Sequence, residues 1–171
     1  MTERPSRKPA PKQPPRSADG QSIATLRPRF WELPLDALQP AEWEALCDGC
    51  GKCCVIKLED SDTGQVHYTD IACRLFDPDT CRCGNYALRQ RFVPGCVVLA
   101  PATMAEHAPW LPNTCAYRLR HYGQPLPPWH PLLTGRPESV AEAGHAAKGT
   151  VPEWEVAEED LEDHIVEGFL D

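Results

Sequence analysis

Apolar positions along this chain come in short bursts separated by proline, glycine and charge. Residues 1–29 are basic and proline-rich and predict a disordered leader. Phe30 and Trp31 open the folded part, and residues 34–40 read as a turn-rich approach. Pro40 suits the first position of a helix, after which Trp43, Leu46 and Cys47 fall on one face. Residues 55–58 and 65–69 can pair as a hairpin around Ser61, Asp62, Thr63 and Gly64, a good turn sequence. A loop carrying Cys73, Cys81 and Cys83 follows, then a short helix over 85–91 and a strand at 97–99. Thr114 is placed to cap a helix through Cys115, Tyr117, Leu119 and His121 that stops at Gly123. Residues 124–137 are proline-rich and read as irregular. A last helix is expected over 157–169, with Val156, Leu161, His164, Ile165 and Phe169 near one face. These elements predict the α+β class: a small, loop-rich domain over 30–171, with short helices and a small antiparallel hairpin or sheet.

Composition adds a demand for cross-links. The chain has 171 residues, 19 prolines and 42% hydrophobic residues, which suits one domain with tails and a small core. A modest core with many loops usually needs disulfides or metals to be stable. Nine cysteines, all between Cys47 and Cys115, are the candidates. The first twenty residues contain no apolar run of the kind a secretory signal needs, and no stretch approaches a membrane span. A cytoplasmic location is therefore expected, where thiols stay reduced and clustered cysteines bind metal or react more often than they pair. The odd count also fits a fully paired disulfide framework poorly.

Charge is unevenly spread. Arg4, Arg7, Lys8, Lys12, Arg16 and Arg27 make the leader basic, and residues 153–171 are acidic without Lys or Arg. A basic arm can touch nucleic acid, but a formal net charge of −8 argues against a nucleic-acid-binding body. The simpler reading is a solubilising leader and a solvated acidic helix face. On that face Asp160, Asp163 and His164 need no role as ligands.

The chemistry concentrates in residues 47–54, CDGCGKCC, in which Gly49 and Gly51 allow the positive φ of a tight thiolate loop. Cys47, Cys50 and Cys53 follow one another with two residues between each. A Cys-x2-Cys loop lets two sulfurs converge on one ion while intervening amides hydrogen-bond to them. Two such spacings in succession match the opening of the bacterial ferredoxin run, but Cys54 follows at once instead of after three residues. Neighbouring side chains in an extended chain point apart, so Cys53 and Cys54 are not expected to serve one site. Cys54 then reaches a second metal, packs as an apolar residue or stays a free thiol. Cys73, Cys81, Cys83, Cys96 and Cys115 supply further donors. Two four-thiolate sites would use eight of the nine cysteines, and one cluster with several structural or reactive thiols accounts for them as well. All-thiolate sites suit zinc and iron–sulfur clusters alike. The ferredoxin-like spacing leans towards iron–sulfur, and the short knuckles lean towards structural zinc.

Several other residues are alternative candidates to this centre. His67 is the histidine nearest the first cysteine group and reads as exposed or packed. Trp129 and His130, in the loop WHPLLTG, can line a pocket; the simpler account is that Trp129 and Leu132 anchor the loop and His130 bonds to backbone. Arg74, Arg82, Arg89 and Arg91 can offset thiolate charge or be ordinary surface residues. There is no phosphate loop, nucleophile elbow or His-Glu-x-x-His helix.

The run CDGCGKCC, followed by KLEDSDTGQVHYTDIACRLFDPDTCRC, VPGCVVL, LPNTCAYRL and WHPLLTG, resembles the YcgN-type cysteine-cluster proteins of the wider CxxCxxCC family. The resemblance spans about residues 30–165 and leaves the leader out. It implies chelation of zinc or iron, with Cys47, Cys50, Cys53 and Cys54 as the ligands of the motif. Cys73, Cys81, Cys83, Cys96 and Cys115 fall where the family also has cysteines. It implies no catalytic residue and no defined substrate. Three functions stay open: an iron–sulfur or iron protein, a zinc module that staples an interaction surface for a protein partner, and an enzyme using the loop at 129–135.

Overall fold

The computed structural model describes residues 26–169. The expected leader lies outside the described residues except for 26–29, and so does the basic arm except for Arg27. The helical signal at Pro40 gives α1 (Pro40–Ala45). Its Glu42 reaches back to accept the Gln39 amide at 2.9 Å and is held from the other side by the Arg27 guanidinium, with Nε 2.6 Å from Oε1. That bond lowers the Glu42 carboxyl from its ordinary value near 4.5 to about 2, against the opposing effect of burial.

The expected hairpin is present as β1 (Val55–Glu59) and β2 (Val66–Ala72), paired antiparallel with an irregularity between Val55 and Lys57. Asp60 makes the turn by accepting the Asp62 and Thr63 amides at 2.9 and 2.8 Å. Beyond it, β3 (Phe76–Asp77) pairs with β4 (Arg82–Cys83), so Cys83 sits on a short strand within the stretch read as loop. Near the other end, β5 (Val151–Pro152) joins β2 in parallel, giving the order β1-β2-β5.

Short helices fill the remainder: α2 (Arg89–Phe92), α3 (Met104–His107), α4 (Ala116–His121), α5 (Pro131–Thr134) and α6 (Ser139–Glu142). Trp43 and Leu46 at the end of α1 pack with Met104, Ala108, Leu111 and Tyr117 in the larger apolar cluster. The Tyr117 hydroxyl donates to the Trp43 carbonyl at 2.9 Å, and the rings stand 4.7 Å apart. A smaller cluster of Val55, Tyr68 and Ala147 lies against the sheet. No described helix is long and apolar enough to cross a membrane.

Four expectations change. Residues 97–99 form no strand: they have no partner strand, Val97 and Val98 are exposed, and the Leu99 carbonyl accepts the Trp43 indole at 3.1 Å. Helix α4 is capped at Cys115 instead of Thr114, and no side chain bonds the cap. The proline-rich loop contains α5, because Pro131 fits a first helical position and Gly135 turns the chain out at φ +70°. The end of the chain is a 3-10 helix, Glu158–His164, not an α-helix to Phe169. There Ile165 bridges Thr69 and the Val166 amide donates to the Tyr68 carbonyl at 2.8 Å, so the sheet edge takes backbone groups a longer helix would use internally.

Candidate metal centre

Helix α1 delivers Cys47 directly into the loop that carries Cys50 and Cys53. Gly49 and Gly51 both adopt φ +77°, and Asp48 Oδ1 accepts the Cys50 amide at 3.0 Å. The tightness is steric as well: a Cβ at Gly51 would stand 2.7 Å from the Phe76 ring. A Cβ at Gly49 would stand 2.8 Å from an Arg82 guanidinium nitrogen, so Arg82 lies on the cysteine loop. Cys53 and Cys54 are in a 3-10 turn, Lys52–Cys54, and their sulfurs are 3.9 Å apart. This corrects the expectation from an extended chain. The turn brings the two thiols into contact where a pleated strand would send them to opposite faces.

Cys115 comes to this loop from far along the sequence. It precedes α4, and it packs with Cys47 against the cluster of Trp43 and Tyr117. Burial is the largest cause raising the Cys47, Cys50 and Cys115 thiols, and the Asp48 carboxylate raises each of them too. Cys115 is pushed up to about 12. Cys47 and Cys50 each also feel Cys53 and Cys115. Cys53 moves the other way, to about 7, chiefly because it accepts a hydrogen bond from the Cys54 thiol, with help from Lys57. Burial opposes that lowering, and the Cys54 thiol is raised in exchange.

The later cysteines are held by a different part of the backbone. The Cys73 amide donates to the Cys54 carbonyl at 2.9 Å, and Phe76, opposite Cys83 in the β3–β4 pair, donates to the Cys73 carbonyl at 2.8 Å. The Cys96 thiol is raised by burial, lowered by Arg89, and raised again by Cys73, Cys53 and Cys83. Cys81 is buried, and its sulfur lies 3.6 Å from the Ala147 carbonyl and 3.8 Å from that of Pro78. All nine cysteines are free thiols.

Two residues of this centre escaped the sequence reading. Asp48 is only 6% exposed, a carboxylate buried among thiols. The Lys57 ammonium donates to the carbonyls of Lys52, Cys53 and Val55 at 3.3, 3.2 and 3.0 Å and lies 4.9 Å from the centre of the Tyr68 ring. Burial lowers its pKa, and Cys53, Cys54, Cys50 and Cys115 raise it. An acid between two cysteines was a legible signal for Asp48. Lys57 gave none, because a lysine in the strand VIKLE reads as a solvent-facing position.

Among the described residues, no three His, Cys, Asp or Glu side chains converge on one point as the ligands of a bound ion do. The donor chemistry nevertheless fits a metal: reduced, crowded thiols with an ammonium beside them. Two sulfurs on one tetrahedral ion at about 2.3 Å stand roughly 3.8 Å apart, close to the Cys53–Cys54 separation. Simple contact between thiols serving neighbouring ions gives a similar distance.

A family model described as "Putative zinc- or iron-chelating domain", the CxxCxxCC domain, matches residues 46–116. A UPF0260 protein of Rhodobacter capsulatus is 57% identical over 145 residues, covering 84% of this chain and 97% of that protein. The chain belongs to the UPF0260 family. Other UPF0260 proteins, from Rhizorhabdus wittichii and Cellvibrio japonicus, are each 54% identical and cover 82% and 80% of the chain, and 96% and 94% of their own lengths. No solved structure gives a match.

In this UPF0260 fold the other candidates fall outside the thiol group. His130 is fully buried; its Nδ1 accepts the Leu132 amide and its Nε2 donates to the Leu46 carbonyl, both at 3.1 Å. Burial holds its pKa down, so it is a neutral ring tying the 129–135 loop to the residue before Cys47. Arg89 stacks 3.8 Å over Tyr86, Arg74 pairs with Glu153, and Arg91 is exposed. His67 is half-buried on β2, and His164 pairs with Asp70 at 2.7 Å. Asp160 and Asp163 are exposed on the terminal 3-10 helix. Two surface clefts, of about 480 and 320 Å³, have no cysteine in their walls.

Proposed function

We propose that this chain is a cytoplasmic metal-binding protein that holds iron, as an iron–sulfur cluster or as thiolate-bound iron, in preference to zinc. The observation that carries the reading is electrostatic. Cys47, Cys50 and Cys53 share the short loop that carries the buried Asp48 carboxylate, Cys115 packs with Cys47 on one apolar cluster, and the Lys57 ammonium donates to the Cys53 carbonyl. Ionising several thiols there, beside the Asp48 carboxylate, builds negative charge that Lys57 and Arg82 together do not balance, and a bound cation does. Iron is preferred on the Cys-x2-Cys-x2-Cys spacing. Nine free thiols accord with a reducing compartment.

A second reading, structural zinc in a module that binds a protein partner, is favoured by the brevity of the elements around the cysteines. Strands of two residues and helices of four need a staple. The enzyme reading gains no support from the 129–135 loop, whose His130 has both ring nitrogens engaged by backbone.

Protein purified without air should carry stoichiometric iron, with acid-labile sulfide and thiolate charge-transfer absorbance if the iron is clustered. Colourless protein containing zinc alone supports the second reading instead, and there a chelator should unfold the domain. Protein that takes up neither metal overturns both.

A further inference from the structure

One surface cleft and one distant segment of the sequence have matching chemistry. We propose that the cleft between β1 and the acidic terminal segment is a docking site for the chain's own basic, proline-rich leader, with residues 4–16 lying across Trp154.

The cleft has a volume of about 480 Å³, within the range of sites that enclose a ligand. Ile56 from β1, with Val156 and Leu161 from the terminal segment, gives it an apolar lining. Trp154 also lines it and is 67% exposed, the most exposed large apolar side chain among the described residues. Covering such a ring is favourable because it removes a large apolar surface from water. The rim is acidic. Glu158 is exposed at the cleft, and Glu155 and Glu159 are exposed on the same segment. Residues 153–163 hold seven carboxylates and no Lys or Arg. Arg74, the basic residue in the lining, is paired with Glu153 and leaves the rest of that charge unbalanced.

Those features specify an extended, positively charged occupant with rings to set against an indole. Aromatic-lined grooves take proline-rich segments because such segments hold an extended form before binding and lose little entropy on docking. Residues 4–16, RPSRKPAPKQPPR, contain five prolines, five Lys or Arg and no acid. The proline rings match the Trp154 face, and the cations between them match both the carboxylates and the indole. The tether is long enough. From Arg16 to Leu26, where the described chain begins, ten residues span up to roughly 33–36 Å when extended. A domain of this size has a radius of gyration of about 15 Å, so the segment reaches the cleft without a second molecule. The other cleft, about 320 Å³, is walled by Pro125, Pro127 and Pro128 and has no acid in its lining, so it offers the leader no counter-charge.

The full chain is labelled with 5-fluorotryptophan, and the fluorine resonance of Trp154 is assigned by its loss in Trp154→Phe. A second full-length chain carries Arg4→Glu, Arg7→Glu, Lys8→Glu, Lys12→Glu and Arg16→Glu, which leaves every core residue in place. The Trp154 resonance is expected to differ between the two chains. Synthetic peptide of residues 4–16, added to the charge-reversed chain, should return it saturably towards the wild-type position. Raising salt from roughly 0.05 to 0.5 M should move the wild-type resonance towards that of the variant. Glu158→Lys in the charge-reversed chain should weaken the peptide several-fold. Identical resonances in the two chains, a peptide that moves nothing, or a peptide affinity untouched by Glu158→Lys overturns the proposal. A wild-type resonance that shifts on dilution, with dimers in the ultracentrifuge, overturns docking within one chain and assigns the cleft to the leader of a second copy. Metal content plays no part in these readouts, so each outcome leaves the thiolate reading where it stands.

Discussion

Lys57 shows how much one side chain can organise. Its ammonium binds three carbonyls around the turn that holds Cys53 and Cys54, while its charge faces four thiols. Partners that orient and balance metal ligands typically contribute 10–100-fold in affinity. Lys57→Met should therefore weaken metal retention by about 10–100-fold in competition with a chelator, with the far-ultraviolet circular dichroism unchanged. Equal retention would reduce Lys57 to a tie for the loop. Glu42 makes a prediction about acid. Its carboxyl is held at about 2 in the fold against an ordinary value near 4.5, so its contribution is complete above the higher value and disappears as pH falls towards the lower one. The thermal midpoint should fall across that window. In Glu42→Gln it should begin lower at neutral pH, fall less, and meet the wild-type curve near the acid end. Parallel curves would show that the Arg27 contact contributes nothing.

At the scale of elements, the cysteine loop depends on glycines that were legible in the sequence for the right reason. Gly51 needs both its positive φ and its missing Cβ, since Phe76 fills the space a methyl would take. Gly51→Ala should destabilise the domain by at least the roughly 1–2 kcal/mol of a left-handed alanine, measured by denaturant titration. Gly95→Ala, where a Cβ meets nothing within 4 Å, should be nearly neutral. Helix α1, the hairpin and the start of the cysteine motif were readable because each is set by local signals: a proline at the first turn, a turn sequence between apolar runs, fixed Cys spacing. The misreadings share the opposite cause. Residues 97–99 have strand-forming side chains without a strand to join, and residues 157–169 have a helical pattern but surrender backbone groups to β2. The contact between Cys53 and Cys54 depends on a 3-10 turn, and the neighbourhood of Cys115 depends on α1 meeting α4. Neither is written in the spacing of the residues themselves.

Across the whole molecule, the sheet and the thiol region share their central pieces. Strand β1 grows out of the cysteine turn, β2 runs into Cys73, and the terminal segment straps β2 through Thr69, Tyr68 and the Asp70–His164 pair. That strap lies along the side of the sheet and reaches the cysteine motif through Phe169, whose ring centre is 5.8 Å from the Lys52 ammonium; among the described residues the hydrogen bonds that fasten it go to β2 and not to a thiol. Deleting the residues after Val156 should lower the denaturation midpoint while leaving metal per chain unchanged. A loss of metal would mean that the strap supports the centre as well.

The parallel pairing of β2 with β5 also sets an order of events during synthesis. Nearly half the chain separates Ala72 from its partner Pro152, and Cys73 to Cys115 all lie within that span. On the ribosome the hairpin and the first four cysteines emerge early, whereas Cys115, and later β5, arrive only after a long intervening stretch of chain. The thiols of residues 47–54 are thus exposed to the cell's oxidants and stray ions before the contacts that enclose them exist. The enclosure of the residues 47–54 loop therefore waits on chain made much later, up to the strand that ends at Pro152.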